Sequence, residues 1–179
     1  MTLVYDPRLR LLGLRLITTD NDPESIKGRI RSLINTDITV KGHTDYLLYR
    51  YYVGLGEGVK DHPESNCLPL ECNADYLGSV SFDKGCYLGQ ELTARIRFTG
   101  VIRKRMMPVK VEGKIDKPLV PGSGVLDESG KKVGSLRHML GDRGLGLLRL
   151  NSKDMNIKLI HQDTEAELST YKPFWWKQN

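Results

Sequence analysis

Hydrophobic residues recur with two different periods in the first third of the chain. Leucines alternate with other residues over residues 12–16 in LLGLRLI, which predicts a β-strand. The segment DPESIKGRIRSLIN instead spaces its apolar residues three and four apart behind Asp22, a candidate N-cap, and predicts a helix despite Gly28. The segment HTDYLLYRYYVGLGEG predicts a second helix, capped by Thr44 and ended by Gly54. The start of the chain therefore combines one strand with two helices.

A third helical pattern precedes a long stretch of alternation. Leu88, Leu92 and Ile96 recur every four residues and predict a helix from about Leu88 to Arg97. After it, short alternating segments are separated by glycine and proline. They predict an antiparallel β-module of five or six strands over residues 106–172, with no helix of three or more turns.

These patterns indicate an α+β protein in two parts, residues 1–100 and a small antiparallel β-barrel over residues 101–179. The chain has 179 residues and is 39% hydrophobic, which is typical of a soluble globular protein. No stretch approaches the roughly 18 consecutive apolar residues of a membrane-spanning helix, so we expect no membrane insertion. The strand-like start, MTLVYDPRLRLLGLRLITT, predicts neither a secretory signal nor a mitochondrial transit peptide.

A net charge of +5 and a pI near 9.1 favour anionic partners. One alternative is a nucleic-acid-binding module, in which an aromatic platform stacks a base and basic residues contact phosphates. Its candidate residues are Phe98, Arg95, Arg97, Arg103, Lys104 and Arg105. The change from helix to strand inside RIRFTGVIRKR scatters these charges over several faces, so we do not expect a nucleic-acid partner.

The three cysteines are an odd number, which favours a reducing compartment or at least one free thiol. Cys67, Cys72 and Cys86 have the spacing C-x4-C-x13-C, which differs from the C-x2-C spacing of zinc and ferredoxin sites. We therefore do not expect the cysteines to form a self-contained metal site.

Cys86 lies between two glycines, just before the third predicted helix. Gly85 and Gly89 permit a tight turn, and the N–H groups at the start of a helix favour an anion or a thiolate. Lys84 adds a positive charge, so Cys86 is a candidate for a reactive or metal-ligating thiolate. The alternative is a buried cysteine that only packs, because free cysteines are among the most buried residues.

The segment KGCYLGQE, residues 84–91, resembles the signature of the YgfZ-type folate-binding proteins, relatives of the tetrahydrofolate-dependent aminomethyltransferase of the glycine cleavage system. The segments DPRLRLLGLR, YRYYVGLGEGVKD and LPLECNADYLGSVSF follow the order of the family. The continuation ELTARIRFTGVIRKR is similar to the mitochondrial branch, the iron–sulfur cluster assembly factors. The resemblance is strongest over residues 44–108 and weakens in the last 60 residues.

The resemblance implies a partial aminomethyltransferase-like folate-binding domain followed by a C-terminal barrel. It implies a non-catalytic factor that works in the mitochondrial matrix, with A-type carrier proteins, in the late maturation of 4Fe–4S proteins. The implied cofactors are tetrahydrofolate and an iron–sulfur cluster shared with the carrier. Implied folate contacts are Glu71, which matches the pterin-binding acid, with Lys84, Tyr87, Gln90 and Arg95.

The motif turn of the family corresponds to Lys84, Gly85, Cys86, Gly89, Gln90 and Glu91. Because the enzyme lacks a cysteine in this turn and the assembly branch has one, the resemblance assigns Cys86 to the cluster. We expect Arg95, Arg103 and Arg105 to neutralise the anionic cluster or an acidic surface of the partner. Cys67 and Cys72 match nothing in the family pattern and are expected to be structural. We also expect Glu71 and the turn to border one concave surface.

Members of this family are about twice as long as this chain, which corresponds to the C-terminal half of one. Half of a pocket leaves strand edges and apolar surface uncovered, so folate binding by this length of chain does not follow from the resemblance. A folate-dependent one-carbon transferase is the main alternative function, but the segment with the catalytic aspartate of the enzyme has no counterpart here.

Overall fold

The computed structural model describes residues 1–34, 36–98, 100–149 and 156–176. The chain forms two compact units, Met1–His43 and Thr44–Asn179. The division predicted between residues 100 and 101 falls inside the second unit and stays a prediction. None of the helices in the described ranges is long and apolar enough to cross a membrane.

The first unit begins with a hairpin, in which β1 (Thr2–Tyr5) pairs antiparallel with β2 (Leu14–Ile17). The strand predicted from residue 12 starts two residues later. The reason is a 3₁₀ turn, Arg10–Leu12, which ends at Gly13 with a φ of 73°. Glycine adopts this left-handed conformation without a side-chain clash.

Asp6 closes the connection between the two strands. Its side chain is buried and accepts hydrogen bonds from the backbone and side chain of Arg8, at 3.0 and 2.9 Å, and from Arg15 Nε at 2.6 Å. The hydrogen bonds from Arg8 outweigh burial and hold the pKa of Asp6 well below its usual range. The hairpin loop is therefore organised around one carboxylate.

The first predicted helix is confirmed as α1 (Pro23–Ile34), with proline at its first position. Asp22 caps it as expected: its carboxylate accepts the backbone N–H groups of Glu24 and Ser25 at 3.1 and 3.2 Å. Gly28 does not interrupt the helix.

The second unit contains α2 (His43–Val53), the single-turn α3 (Gly58–Asp61) and α4 (Gln90–Phe98). The helix α2 begins at His43, so the prediction that Thr44 caps it is wrong: Thr44 lies in its first turn. The helix α4 lies within two residues of the predicted limits. Gly54 ends α2 with a φ of 77°, and a Cβ there would lie 2.8 Å from the Pro173 side chain. Both the backbone conformation and this close approach require glycine.

The predicted β-module is confirmed as a closed six-stranded antiparallel barrel with the order β3-β6-β5-β4-β7-β8. Residues 150–155 of the predicted span lie outside the described residues. Closure leaves no unpaired strand edge within this sheet. The strands are β3 (Lys104–Val111), β4 (Gly124–Leu126), β5 (Lys132–Leu140), β6 (Arg143–Arg149), β7 (Asn156–His161) and β8 (Glu167–Tyr171).

The barrel interior forms one hydrophobic core, to which all six strands contribute buried side chains. Its members include Met107, Val109, Val125, Leu136, Leu148, Leu159 and Leu168. Strand β3 is buried on both faces from Arg105 to Val109, because residues outside the barrel cover its outer face. Arg105 is paired with the core residue Leu148 of β6 and lies on the same side of β3 as Met107 and Val109.

The helix α2 contacts the barrel through buried polar groups. The Tyr51 hydroxyl donates to Asp61 at 3.1 Å and lies 2.5 Å from His138 Nδ1 on β5, and Arg50 Nη1 donates to the same Asp61 at 2.9 Å. Burial and the neighbouring Asp61 charge raise the pKa of Tyr51 far above its usual range. This network fixes the segment that follows α2 against the barrel.

Candidate functional site

The turn that carries the Cys86 motif is held by Gln90. The side-chain oxygen of Gln90 accepts the backbone N–H of Tyr87 at 3.2 Å, and the backbone N–H of Gln90 donates to the Tyr87 carbonyl at 3.2 Å. Gly89 has a φ of 83°, which allows the chain to turn into α4 without side-chain strain. Cys86 therefore lies just ahead of the helix, as predicted.

Cys86 is a free thiol and is exposed to solvent. Its accessibility is thus confirmed, and the alternative of a cysteine packed in a core is wrong. The Lys84 ammonium lies 4.2 Å from the centroid of the Tyr87 ring, in a cation–π contact that keeps its charge within the turn.

Several apolar side chains of the turn, of α4 and of the residues after it are exposed. Leu88 is 101% exposed, Phe98 is 71% exposed and Val101 is 80% exposed. Among the residues of α4, only Thr93 is buried. The turn and helix therefore present a thiol and a group of large apolar side chains to solvent, which is typical of an interaction surface.

Glu91 and Arg95, which lie four residues apart on α4, form an ion pair. Both side chains are more than half exposed, and exposed pairs of this kind contribute little to stability. Arg95 thus lies on the helix that follows the motif turn, and its charge is at the surface.

A cavity of about 500 Å³ lies between α4 and the segment before it. Phe82, Ile96, Arg97 and Tyr76 contribute to its walls, and the Arg97 guanidinium lies 5.1 Å from the Phe82 ring centroid. Neither Glu71 nor any residue of the turn Lys84–Gly89 lines this cavity. A concave surface shared by Glu71 and the turn therefore stays a prediction.

Arg105 is buried, and the expectation that it neutralises a surface-bound anion is wrong. Its guanidinium donates to both carboxylate oxygens of Asp75, at 2.8 and 2.9 Å, and lies 4.1 Å from the Tyr76 ring centroid. Burial would raise the pKa of Asp75, but the hydrogen bonds and charge of Arg105 outweigh it and lower the pKa. The role of Arg105 is to attach residues 70–76 to β3.

Glu71, the matched pterin-binding acid, is half-buried beside the barrel. Its backbone carbonyl accepts the N–H of Met106 at 2.7 Å, and its carboxylate acts on the charge of Arg137. Burial nevertheless lowers the pKa of Arg137 overall. Glu71 thus lies between β3 and β5, and its role in folate binding stays a prediction.

Cys67 and Cys72 form a disulfide, with their Cα atoms 6.5 Å apart, which agrees with the structural role predicted for them. His62 Nδ1 lies 3.4 Å from Cys67 Sγ. The donor atoms of these three residues lie within 4.8 Å of one another, the spacing of a metal-ligand set. Sequence reasoning missed His62, because it compared only the spacings between cysteines; the pattern H-x4-C-x4-C was the available signal.

The comparisons with known proteins agree with this arrangement. The family CAF17, C-terminal beta-barrel domain, matches residues 103–178, which contain all six barrel strands. The chain is 41% identical over 185 aligned residues to the mitochondrial iron–sulfur cluster assembly factor IBA57 of Mus musculus, and 38% identical over 177 residues to that of Homo sapiens. Each alignment covers 97% of this chain and 47% of the relative.

Over the length it matches, the chain belongs to the family of these assembly factors. A homologue named for the same role in Dictyostelium discoideum is 40% identical over 128 residues, 72% of this chain and 29% of that protein. The relatives are named as mitochondrial proteins, which confirms the resemblance and the location it implied for the family. The chain spans about half the length of the curated relatives from mouse and human.

Proposed function

We propose that this chain acts in mitochondrial iron–sulfur cluster assembly, with Cys86 as one ligand of a cluster that is shared with a carrier protein. The observation that carries the proposal is the exposed, free Cys86 in a turn held open by Gly89 and Gln90. The names of the matched relatives support the general role. Within cluster assembly, we propose that the chain acts in the maturation of 4Fe–4S proteins.

A single thiolate does not complete the coordination of an iron–sulfur cluster, which takes four protein ligands. Within the described residues, the sulfurs of Cys67 and Cys72 lie together with His62 and not with Cys86, so they do not supply the missing ligands. The remaining ligands therefore come from a partner, and an A-type carrier is the proposed source. The protein contributes a ligand and does not hold the cluster alone.

The exposed residues of the motif turn, of α4 and of the segment after it have the composition of a protein–protein contact. Leu88, Phe98 and Val101 provide apolar area, while Arg95 and the exposed Arg103 provide positive charge. Interfaces combine an apolar centre with a polar rim, and positive charge attracts an acidic partner or an anionic cluster. Of the three arginines predicted to neutralise an anion, Arg95 and Arg103 remain candidates, whereas Arg105 is excluded because it is buried.

The test is anaerobic reconstitution of the full-length protein with iron, sulfide and an A-type carrier, followed by visible absorption and circular dichroism. Cys86→Ser should abolish the spectrum that requires both proteins and leave the far-ultraviolet signal of the fold unchanged. The double variant Cys67→Ser/Cys72→Ser is the matched control and should retain the shared spectrum. Equal spectra from Cys86→Ser and the parent protein would refute the proposal.

Tetrahydrofolate binding is the second part of the proposal, and the cavity beside α4 supports it. Its volume of about 500 Å³ is within the range of small-molecule sites, and Phe82 and Tyr76 offer aromatic faces to a pterin. The residues proposed to contact folate from the motif are Glu71, Lys84, Tyr87, Gln90 and Arg95. None of them lines this cavity, so the motif and the cavity are two alternative positions for the pterin. In a calorimetric titration with tetrahydrofolate, weaker binding by Tyr87→Ala and Glu71→Gln would favour the motif, and unchanged binding would favour the cavity.

The proposed role is non-catalytic, because the assembly function needs only binding and ligand exchange. The alternative is a folate-dependent aminomethyl transferase on the same scaffold. An assay of tetrahydrofolate-dependent methylene release separates the two: we expect no turnover above the rate without protein, and release that depends on the protein would favour the enzyme.

A further inference from the structure

A second sulfur-containing site lies away from the Cys86 turn, where His62, Cys67 and Cys72 meet. One ligand atom from each residue lies within 4.8 Å of the other two, and all three residues are partly buried. A tetrahedral zinc ion with bonds of about 2.3 Å to sulfur and 2.0 Å to nitrogen separates those donors by about 3.6 Å. The observed distance from His62 Nδ1 to Cys67 Sγ, 3.4 Å, is close to that value.

We propose that, in the reduced protein, His62, Cys67 and Cys72 bind a thiophilic divalent cation, for which Zn²⁺ is the best match. Two thiolates and one imidazole are a donor set that Zn²⁺ prefers, and three protein ligands leave a fourth position open to water or to a partner group. The disulfide between Cys67 and Cys72 is then the oxidised, metal-free form of the same site.

The imidazole of His62 is held in place by its neighbours. A Cβ at Gly56 would lie 2.6 Å from His62 Cε1, so the ring packs directly on the glycine backbone. The backbone N–H of His62 donates to Gly58 at 2.9 Å, and the preceding Asp61 is fixed by Arg50. A ligand whose orientation is already determined loses little entropy when a metal binds.

Cys72 is positioned by hydrogen bonds that do not involve its sulfur. Its backbone N–H donates to the Leu68 carbonyl at 3.0 Å. On either side of it, Glu71 and Asn73 are hydrogen-bonded to the backbone of Met106 on β3, at 2.7 and 2.8 Å. The two sulfurs therefore remain close after the bond between them is broken, because the backbone around Cys72 is attached to the barrel.

Arg137 provides a buried positive charge next to this loop. Its Nη2 donates to the carbonyl of Asn66, which precedes Cys67, and its charge interacts with Glu71, which precedes Cys72. Within the described residues, Arg137 Nε has no hydrogen-bond partner. Arg137 thereby attaches the backbone just before Cys67 to β5, which keeps this sulfur near Cys72 when the disulfide is reduced.

Conversion between the two forms is balanced by a dithiol reductant. The dithiol breaks the bond between Cys67 and Cys72, transfers two electrons and two protons to the two sulfurs, and becomes a disulfide itself. Binding of the cation then releases both thiol protons as the two thiolates coordinate. The relatives are named as mitochondrial, and a reducing compartment favours the dithiol form.

The test is a Co²⁺ titration of the full chain, first without reduction and then after reduction and removal of the reductant under anaerobic conditions. Reduced protein should show thiolate-to-cobalt charge-transfer bands and the d–d bands of a tetrahedral site, and Zn²⁺ should displace them. The oxidised protein should show neither. Equal spectra from oxidised and reduced protein would overturn the proposal.

Variants identify the ligands. His62→Ala, Cys67→Ser and Cys72→Ser should each weaken Co²⁺ binding by about ten-fold or more, since even indirect contacts to a metal site have effects of that size. His43→Ala, which removes an exposed histidine outside the site, and Cys86→Ser are the matched controls and should bind as the parent does. Loss of the bands in Cys86→Ser, with retention in Cys67→Ser, would place the metal at the other thiol and refute the proposal.

Thiol counting gives a readout that does not depend on a spectrum. The chain has three cysteines, so an alkylating reagent should add one group to the oxidised protein and three to the reduced protein. Zn²⁺ should protect two of the three in the reduced protein, and tryptic mapping should identify them as Cys67 and Cys72. If all three cysteines are alkylated at the same rate with and without Zn²⁺, then Cys67 and Cys72 form a disulfide but do not bind the metal.

Discussion

Strand β3 and helix α4 are neighbours in sequence but have opposite environments. The strand is buried at every position from Arg105 to Val109, whereas Thr93 is the only buried residue of α4. Leu88 and Phe98, which would form part of a core in another context, are exposed. The apolar side chains of the barrel core are buried against one another, whereas large apolar side chains of the turn and α4 are exposed to solvent and accessible to a partner.

The two sulfur sites differ in the same way. Cys86 is exposed on the turn and has no second protein ligand in the described structure. Cys67 and Cys72 are partly buried and lie beside His62, against elements attached to the barrel. An exposed single thiol suits a cluster that is passed between proteins, whereas a three-ligand set suits an ion that stays bound.

The largest expected effect concerns the pair that attaches residues 70–76 to β3. Replacing Arg105 with Met leaves the Asp75 carboxylate buried without its partner and should lower the free energy of unfolding by about 3–5 kcal/mol. Arg103→Met, two residues earlier and exposed, should change it by less than about 0.5 kcal/mol. Urea unfolding followed by tryptophan fluorescence measures the change in unfolding free energy for both variants. Similar changes would show that the loss of a positive charge, and not the burial of Arg105, determines the effect.

A matched pair of leucines compares the two regions directly. Leu136 in the barrel core is 0% exposed, and Leu136→Ala should lower the free energy of unfolding by about 2–5 kcal/mol. Leu88→Ala, at a position that is 101% exposed, should leave it within about 0.5 kcal/mol but weaken binding of the carrier. Thermal unfolding measures the stability of both variants, and a titration with the carrier measures the binding of Leu88→Ala. A strongly destabilised Leu88→Ala would show that Leu88 packs against the rest of the protein in solution.

The Asp75–Arg105 pair also predicts a pH dependence. The pKa of Asp75 is lowered from its ordinary value of 3.8, so the pair stabilises the fold above about pH 4, and this contribution is lost as the pH falls through the lower folded-state pKa. The difference in unfolding free energy between the parent and Arg105→Met should therefore shrink below pH 4. Unfolding curves from pH 7 to pH 3 measure it, and a constant difference would contradict an ion-pair origin.

The smallest effect is expected on the exposed face of α4. Glu91→Gln removes the ion pair with Arg95, and because both side chains are largely exposed, the unfolding free energy should fall by no more than about 0.5 kcal/mol. The change should become smaller still in high salt, where exposed charges are screened. A loss that persists in high salt would indicate that Glu91 has a contact beyond this pair.

Local patterns were sufficient for much of this fold. The helical spacing behind Asp22 predicted α1, the stripe before Gly54 predicted α2, and the repeat from Leu88 predicted α4. Alternation with regular turns predicted the antiparallel barrel, because a strand with one inward face repeats every two residues. The motif around Cys86 indicated a turn before a helix, since glycine positions and helix starts are local features.

Alternation did not distinguish the environments of Arg103 and Arg105. It placed both on one side of the chain, and both were expected to neutralise an anion, but only Arg103 is exposed. Tyr76 and Trp176 lie against the Arg105 guanidinium, at 4.1 and 5.7 Å from ring centroid to Cζ, and Asp75 pairs with it. Sequence spacing does not reveal this burial, because the covering residues come from distant parts of the chain.

The sequence by itself determined the elements, the barrel class and the position of the Cys86 turn, because each depends on residues close together in the chain. Only the tertiary structure decided which charges are paired and which thiols have neighbours. His62 Nδ1 and Cys67 Sγ lie 3.4 Å apart because α3 and the loop after it pack against the barrel, with Gly56 leaving space for the imidazole. Such contacts depend on which distant segments of the chain meet in the fold, and the local pattern of hydrophobic residues does not specify this.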